Sequence, residues 1–249
     1  MAIYSLLNKL IAENKPAAIA TVVSGQKAGT KMLVFGGGMA SGGIHPDLDS
    51  LISADAWDLL AEGRSEVRTY AASGEALEVF LETFPPPVRL VIVGAVHVAI
   101  PLHRVAKMLG YHVTVVDARG VLATQERFPL ADRLMVEWPD DAMNALDLDS
   151  STSVVVLTHD PKFDIPALVT ALNSPARYVG AIGSRSTHRQ RTDTLREEGV
   201  ADEQIARIHA PIGLDIGAQT PAEIALAIMA EIVANQRGKD ALSGPTKGT

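Results

Sequence analysis

The chain has 249 residues, 47% of them apolar, 20% charged and 4% aromatic, with 22 basic against 29 acidic side chains and a formal charge of −7. That balance argues against broad nucleic-acid binding, which rests on many cation–phosphate contacts. No apolar run approaches the ~18 residues that span a bilayer, and no basic segment precedes an apolar core at the N-terminus, so the expectation is a cytoplasmic protein with no membrane partner. The absence of cysteine excludes disulfides, Cys-ligated zinc, iron–sulfur ligation and any thiol nucleophile.

Ile3, Leu6, Leu7, Leu10 and Ile11 recur at helical spacing and predict a short amphipathic helix. Residues 18–23 and 31–35 read as strands, after which the glycines at 36–38 and 42–43 break the pattern. Apolar spacing over 47–62 predicts a second helix, and 67–71 and 77–81 further strands. The expectation is a small α+β domain over residues 1–84. Phe84-Pro85-Pro86-Pro87 then reads as a stiff connector, because successive prolines lack donors and hold extended geometry.

Val88–Val93 is a nearly continuous apolar run suited to a buried parallel strand, followed by Gly94 and a helical stretch to about Leu109, which Gly110 caps. Strands are expected at 112–116, 133–136, 153–158 and 177–182, with helices over 164–172 and 187–198. This alternation predicts a Rossmann-like, doubly wound parallel sheet over 85–237. Thr220-Pro221-Ala222-Glu223 carries a capping box with proline at the first helical position, and Ile224, Ile228 and Ile232 share one face of the helix it starts. Residues 238–249 lack periodicity and are expected to form a flexible tail.

Candidate chemistry lies at the predicted strand ends. Gly94-Ala-Val-His-Val-Ala99 follows the opening strand as a dinucleotide turn would, but Val96 stands where a second glycine would let the backbone approach a pyrophosphate. Asp117, at the end of the next strand, is placed to receive a ribose hydroxyl or to cap a loop; His97 is placed to meet a ligand or to face solvent. In Gly183-Ser184-Arg185, a strand runs into a helix whose early turns carry Arg185, His188, Arg189 and Arg191. Amide groups, helix dipole and guanidinium forks there suit an oxyanion; the alternative is a solvated face paired with Glu197 and Glu198. His159 with Asp160 or Asp164 suits acid–base work, or else is a loop histidine beside a capping aspartate. His45-Pro-Asp47-Leu-Asp49 offers alternate metal-capable groups or a plain helix start at Asp47. The turn-rich segment 209–220 either lines a pocket or routes the chain around the sheet edge.

The motifs Tyr178-Val-Gly-Ala-Ile-Gly-Ser-Arg185 with Thr187-His188, Arg207-Ile-His-Ala-Pro-Ile-Gly-Leu-Asp-Ile-Gly217 and Thr220-Pro-Ala-Glu-Ile224 resemble the XdhC/CoxI family. These maturation factors serve xanthine dehydrogenase, carbon monoxide dehydrogenase and related molybdenum hydroxylases. Thr158-His-Asp160, Gly94–Ala99, Ala20–Val23 and Lys31–Val34 are similar to that family as well. The resemblance implies a small N-terminal domain followed by a Rossmann-like domain, often in homodimers. It also implies binding of molybdenum cofactor (molybdopterin) in support of its sulfuration and insertion. By analogy, Gly94, His97, Asp117, His159, Gly183, Ser184 and Arg185 become cofactor contacts, a molybdenum hydroxylase apo-enzyme the partner, and a cysteine desulfurase a second partner. The implied role is a cofactor-binding chaperone with no catalytic residue of its own.

The chain departs from the family at Val96, at Ser41-Gly-Gly-Ile44, where members commonly carry Ser-Gly-Gly-Cys, and at Ser73-Gly-Glu75, where they carry Cys-Gly-Gly. With no thiol it cannot hold a persulfide. Two other readings stand beside the chaperone: an oxidoreductase using NAD(P) or FAD, which Asp117 motivates and Val96 opposes, and a partner-docking scaffold that has lost sulfuration chemistry, which the missing thiols favour.

Overall fold

A computed structural model describes residues 2–25, 27–72 and 75–238. Ser73 and Gly74 of the last family departure, and residues 239–249 of the expected tail, lie outside the described residues. The chain divides into two compact units, with the boundary between Pro86 and Pro87.

The first unit contains α1 (Ala2–Ala12), β1 (Ala17–Val22), β2 (Lys31–Phe35), β3 (Met39–Gly42), α2 (Asp49–Glu62), β4 (Glu66–Ala72) and β5 (Glu75–Phe84). The strands form one antiparallel sheet in the order β3-β2-β1-β5-β4. Central β1 is apolar on both faces because both are covered. Ala18, Ala20 and Val22 pack with Ile52, Ala56 and Leu59 of α2, while Ala17 and Ile19 meet Leu7 and Leu10 of α1. The glycine-rich segment is not simply a break, as expected from sequence. Gly36, Gly37 and Gly38 all take positive φ, a turn that glycine makes without strain, and the chain returns as β3 along β2. The helix expected from residue 47 begins at Asp49. Its Oδ1 accepts the amides of Ile44 and His45 at 2.8 Å, so the His45–Asp49 segment is a hydrogen-bonded approach to the helix.

The second unit contains β6 (Arg89–Val93), α3 (Ala99–Met108), β7 (His112–Val116), β8 (Arg133–Met135), α4 (Pro139–Asn144), β9 (Thr152–Val156), α5 (Pro161–Leu172), β10 (Tyr178–Ala181), α6 (Arg185–Glu197), α7 (Asp202–Ile205), β11 (Ile208–His209) and α8 (Pro221–Gln236). All six strands are parallel, in the order β11-β10-β9-β6-β7-β8. Counted within the unit from β8, that is the 3-2-1-4-5-6 order of a Rossmann fold. Alternation divides the core into two layers. Val91, Val93, Val154 and Val156 face one layer with α5; Leu90, Ile92, Val155 and Leu157 face the other with α3 and α8.

The helix expected directly after Gly94 starts only at Ala99, so 94–98 is a loop. The capping box of α8 forms as its sequence predicts: the Glu223 amide donates to Thr220 Oγ1 at 3.3 Å, and the Thr220 amide donates to Glu223 Oε2 at 2.9 Å. The 209–220 segment follows the edge of the sheet. His209 lies in β11, Ile212 is buried, and the Gly213 amide donates to Glu231 of α8 at 2.7 Å. Among the described residues no helix is long and apolar enough to cross a membrane.

Candidate functional site

In a doubly wound sheet, ligands bind outside the carboxyl ends of the strands, where the strand order reverses. Here that point lies between β6 and β9, and all seven residues singled out from sequence follow carboxyl ends of parallel strands. Gly94 takes φ +103°, and a Cβ there would stand 2.6 Å from Thr158 Cγ2 and 3.1 Å from the Thr158 amide nitrogen. Only glycine lets the loops after β6 and β9 close against each other.

Beneath this junction runs a buried polar chain. The Thr158 hydroxyl donates to Asp164 Oδ1. Arg191 Nη2 of α6 donates to Asp164 Oδ2 at 2.8 Å and to the Ile182 carbonyl at 2.9 Å. Thr158, Asp164 and Arg191 are all at most 5% exposed. The relay therefore ties the loop after β9 to the loop after β10. Of the two readings for His159, the loop histidine beside a capping aspartate is the one seen, and the grouping of Arg191 changes. Asp164 is committed to Thr158 and Arg191, and Asp160 caps α5 by accepting the Lys162 amide at 3.0 Å, so neither forms an acid–base pair with His159. His159 is exposed. Arg191, grouped by spacing with the outward cations, turns into the protein instead.

The turn into α6 leaves several donors without acceptors. Gly183 takes φ +135°, and a Cβ on it would stand 3.2 Å from Thr187 Cγ2 and 3.8 Å from Arg191 Nη2. Ser184 caps the helix, its Oγ accepting the Thr187 amide at 3.2 Å. The amides of Arg185 and Ser186 remain free of intrachain acceptors among the described residues, at the positive end of a 13-residue helix. Arg185 is exposed and has no carboxylate partner among them, and neither Glu197 nor Glu198 pairs with the basic face; Arg196 instead meets Asp193 and Asp202. Two buried nitrogens beside the turn, Arg191 Nη1 and His188 Nδ1, have no hydrogen-bond partner among the described residues. Burial, then the Arg191 charge, holds the His188 pKa below its ordinary value.

Asp117 takes the second of its two readings. It is 3% exposed, its Oδ2 accepts the Ala95 amide at 2.8 Å, and Arg119 grips it with Nε on Oδ1 and Nη2 on Oδ2, both at 2.8 Å. Burial alone would raise this carboxyl, but the Arg119 side chain and the amides of Arg119 and Ala95 outweigh it and hold the pKa low. Both oxygens are engaged in fixing the Gly94–Ala95 loop, so the loop-capping alternative is the one seen. His97 lies exposed in the turn before α3.

Sequence reasoning missed an aromatic wall on the same edge. The Arg119 guanidinium lies 5.4 Å from the Phe163 ring centre, and Phe163 stacks on half-exposed Trp138 at 4.9 Å and 18°. The available signal was Trp138-Pro139-Asp140-Asp141, a helix start that sets an indole at the end of β8. Among the described residues no group of three or more His, Asp or Glu side chains is placed to hold a metal.

Residues 90–232 match the family model of the XdhC Rossmann domain, and residues 10–71 that of the XdhC and CoxI family. Uncharacterized protein YqeB of Escherichia coli is 37% identical over 161 residues, covering 64% of this chain and 29% of that protein. A probable xanthine dehydrogenase subunit of Bacillus subtilis is 28% identical over 66% of this chain and 47% of its own length. The molybdenum cofactor insertion chaperone PaoD of E. coli is 30% identical over 66% of this chain and 45% of its own length. In each case the match spans less than half of the relative. A crystal structure of a xanthine dehydrogenase from Bacillus halodurans aligns with a TM-score of 0.72 at 23% identity, over 99% of this chain and 68% of that one.

Proposed function

We propose, on the premise that this chain belongs to the XdhC/CoxI family, that it is an accessory factor in the maturation of a molybdenum hydroxylase. Its cargo is a phosphorylated, molybdopterin-type cofactor held at the carboxyl edge of the parallel sheet. The observation that carries this reading is the start of α6: a glycine turn, two free amides and an unpaired arginine, with a buried guanidinium beneath that still has an unpartnered nitrogen. A phosphate fits that donor set, since each of these groups donates and none accepts.

In this reading the cofactor brings the molybdenum centre of the recipient enzyme, and this chain's residues only bind and orient it. Gly183 and the amides of Arg185 and Ser186 would cradle the phosphate, and the Arg185 guanidinium would close over it. Gly94, Asp117 and Arg119 shape the neighbouring loop, while His97 and His159 are exposed polar contacts beside it. The relatives named as a cofactor insertion chaperone and a xanthine dehydrogenase subunit support the role. By the same reasoning the partners are a molybdenum hydroxylase apo-enzyme, a cysteine desulfurase and a second copy of this chain.

The test is retention of molybdenum cofactor by purified protein after gel filtration, compared with Arg185→Ala. The wild type should retain cofactor and the variant bind it about tenfold more weakly, as expected for one charge-assisted contact. A wild type that retains none overturns the reading. NAD, NADP and FAD should leave the melting temperature unchanged, because Val96 stands where a glycine would let a pyrophosphate approach and both Asp117 oxygens are engaged.

A further inference from the structure

A second candidate site lies wholly within the first unit, and none of the roles assigned so far uses it. A cleft of about 510 Å³ opens between the β2–β3 turn and one face of α2. Its walls are built for each other. Gly37 and Gly38 present bare backbone on one side; on the other, Asp49, Ser53 and Trp57 follow one another at four-residue spacing, with Asp58 beside them.

Three observations give the cleft a chemistry. First, it is acidic: Asp49 and Asp58 line it and no Lys, Arg or His does. Asp49 uses Oδ1 for the amides of Ile44 and His45, whereas Asp58 pairs with no cation among the described residues. Second, Ser53 is only 7% exposed, yet its hydroxyl has no hydrogen-bond partner among the described residues. The oxygen itself is reachable from the cleft, so it is available to accept from an entering donor. Third, Trp57 is half-buried against the core of the unit and also lines the cleft, offering an aromatic surface. Gly37 and Gly38 have open space where a Cβ would stand.

We infer that this cleft binds a flat, donor-rich cation of the guanidinium class. Such a group stacks on an indole face and presents N–H donors in a fork that matches a carboxylate. The Ser53 oxygen can accept a further N–H. A phosphate-bearing ligand is excluded, because two carboxylates with no compensating cation repel it. The site is thus chemically opposite to the start of α6, and it stands whether or not that helix holds a cofactor.

Trp57 supplies its own readout. In a Trp138→Phe background Trp57 is the sole tryptophan, and the full-length chain is titrated at constant ionic strength with N-acetylarginine amide, N-acetyllysine amide and N-acetylglutamine amide. The arginine derivative should change the fluorescence saturably, the lysine derivative should bind more weakly, and the neutral glutamine derivative should give no saturable change. Asp58→Asn, an isosteric change at an exposed position, should weaken arginine binding about tenfold with an unchanged melting curve. A non-saturable response to the arginine derivative overturns the proposal. So does equal binding of the lysine or glutamine derivative, or an Asp58→Asn affinity equal to that of the parent. Should Asp58→Asn melt early, Ser53→Ala takes its place: an unchanged affinity there also overturns the proposal, and a weakened one upholds it.

Discussion

Gly94 shows how one missing side chain shapes the candidate site. Two separate penalties meet there: a backbone at φ +103°, which L-residues rarely adopt, and a space already filled by Thr158 at 2.6 Å. Gly199 takes φ +83° with nothing within 4 Å of where a Cβ would stand, so it carries the backbone penalty alone. Gly199→Ala should therefore cost about 1 kcal/mol and Gly94→Ala about 2–4 kcal/mol, since the second must also displace the strand-end loop. Urea unfolding of the two variants measures the difference; equal losses would show that the Gly94–Thr158 closure contributes nothing. Charge at single residues is less legible than conformation. Gly94 and Gly183 announce themselves as turn glycines after apolar strands, but charge alone does not separate Arg191, which faces inward, from Arg185 and Arg189, which face out. The usable signal is Arg191's four-residue offset from buried Leu195, which puts both on the packed face of α6. Its partner, Asp164, sits on another helix, and tertiary pairing of that kind is invisible to spacing.

Between elements, the edge of the Rossmann sheet is held by Glu231. This α8 carboxylate receives the Tyr178 hydroxyl from β10, the Gly213 amide at 2.7 Å, and His209 Nδ1 of β11 at 3.1 Å, with the Tyr178 and His209 rings 4.5 Å apart. Burial opposes the charge, but these donors prevail and the pKa lies below its ordinary 4.5. The folded state therefore binds this proton less readily than the unfolded chain does. Its contribution is complete above 4.5 and is lost as the pH falls below that value toward the folded one. Glu231→Gln should cost about 2 kcal/mol at neutral pH, the gap to wild type closing in acid. Thermal melts across that range check it, and a gap independent of pH would contradict the assignment. Elements with strong local rules are the legible ones: β6 by its continuous apolar run, α8 by its capping box. Short elements are not. Met39-Ala-Ser-Gly42 has no strand alternation and is a strand because β2 offers it an edge; β11 is two residues beside β10; α4 spans only six residues. Their structure comes from a neighbour's free hydrogen bonds, which the segment itself does not encode.

For the whole molecule, composition constrains chemistry more sharply than fold does. A maturation factor that relays sulfur must carry it on a thiol as a persulfide, because the attacking group in such exchange is a thiolate. The chain has no cysteine at any of its 249 positions. The Rossmann strand order, the Gly183 turn and the cationic start of α6 are all present without a thiol. Under the proposed function, any sulfuration this chain supports would have to pass directly from the sulfur donor to the cofactor, because the chain has no thiol to act as a covalent carrier. Incubation with a cysteine desulfurase and free cysteine should leave the intact mass of the protein unchanged, and iodoacetamide should leave cofactor retention unchanged. A sulfur adduct on the polypeptide, or loss of retention after alkylation under thiol-selective conditions, would overturn this division of labour.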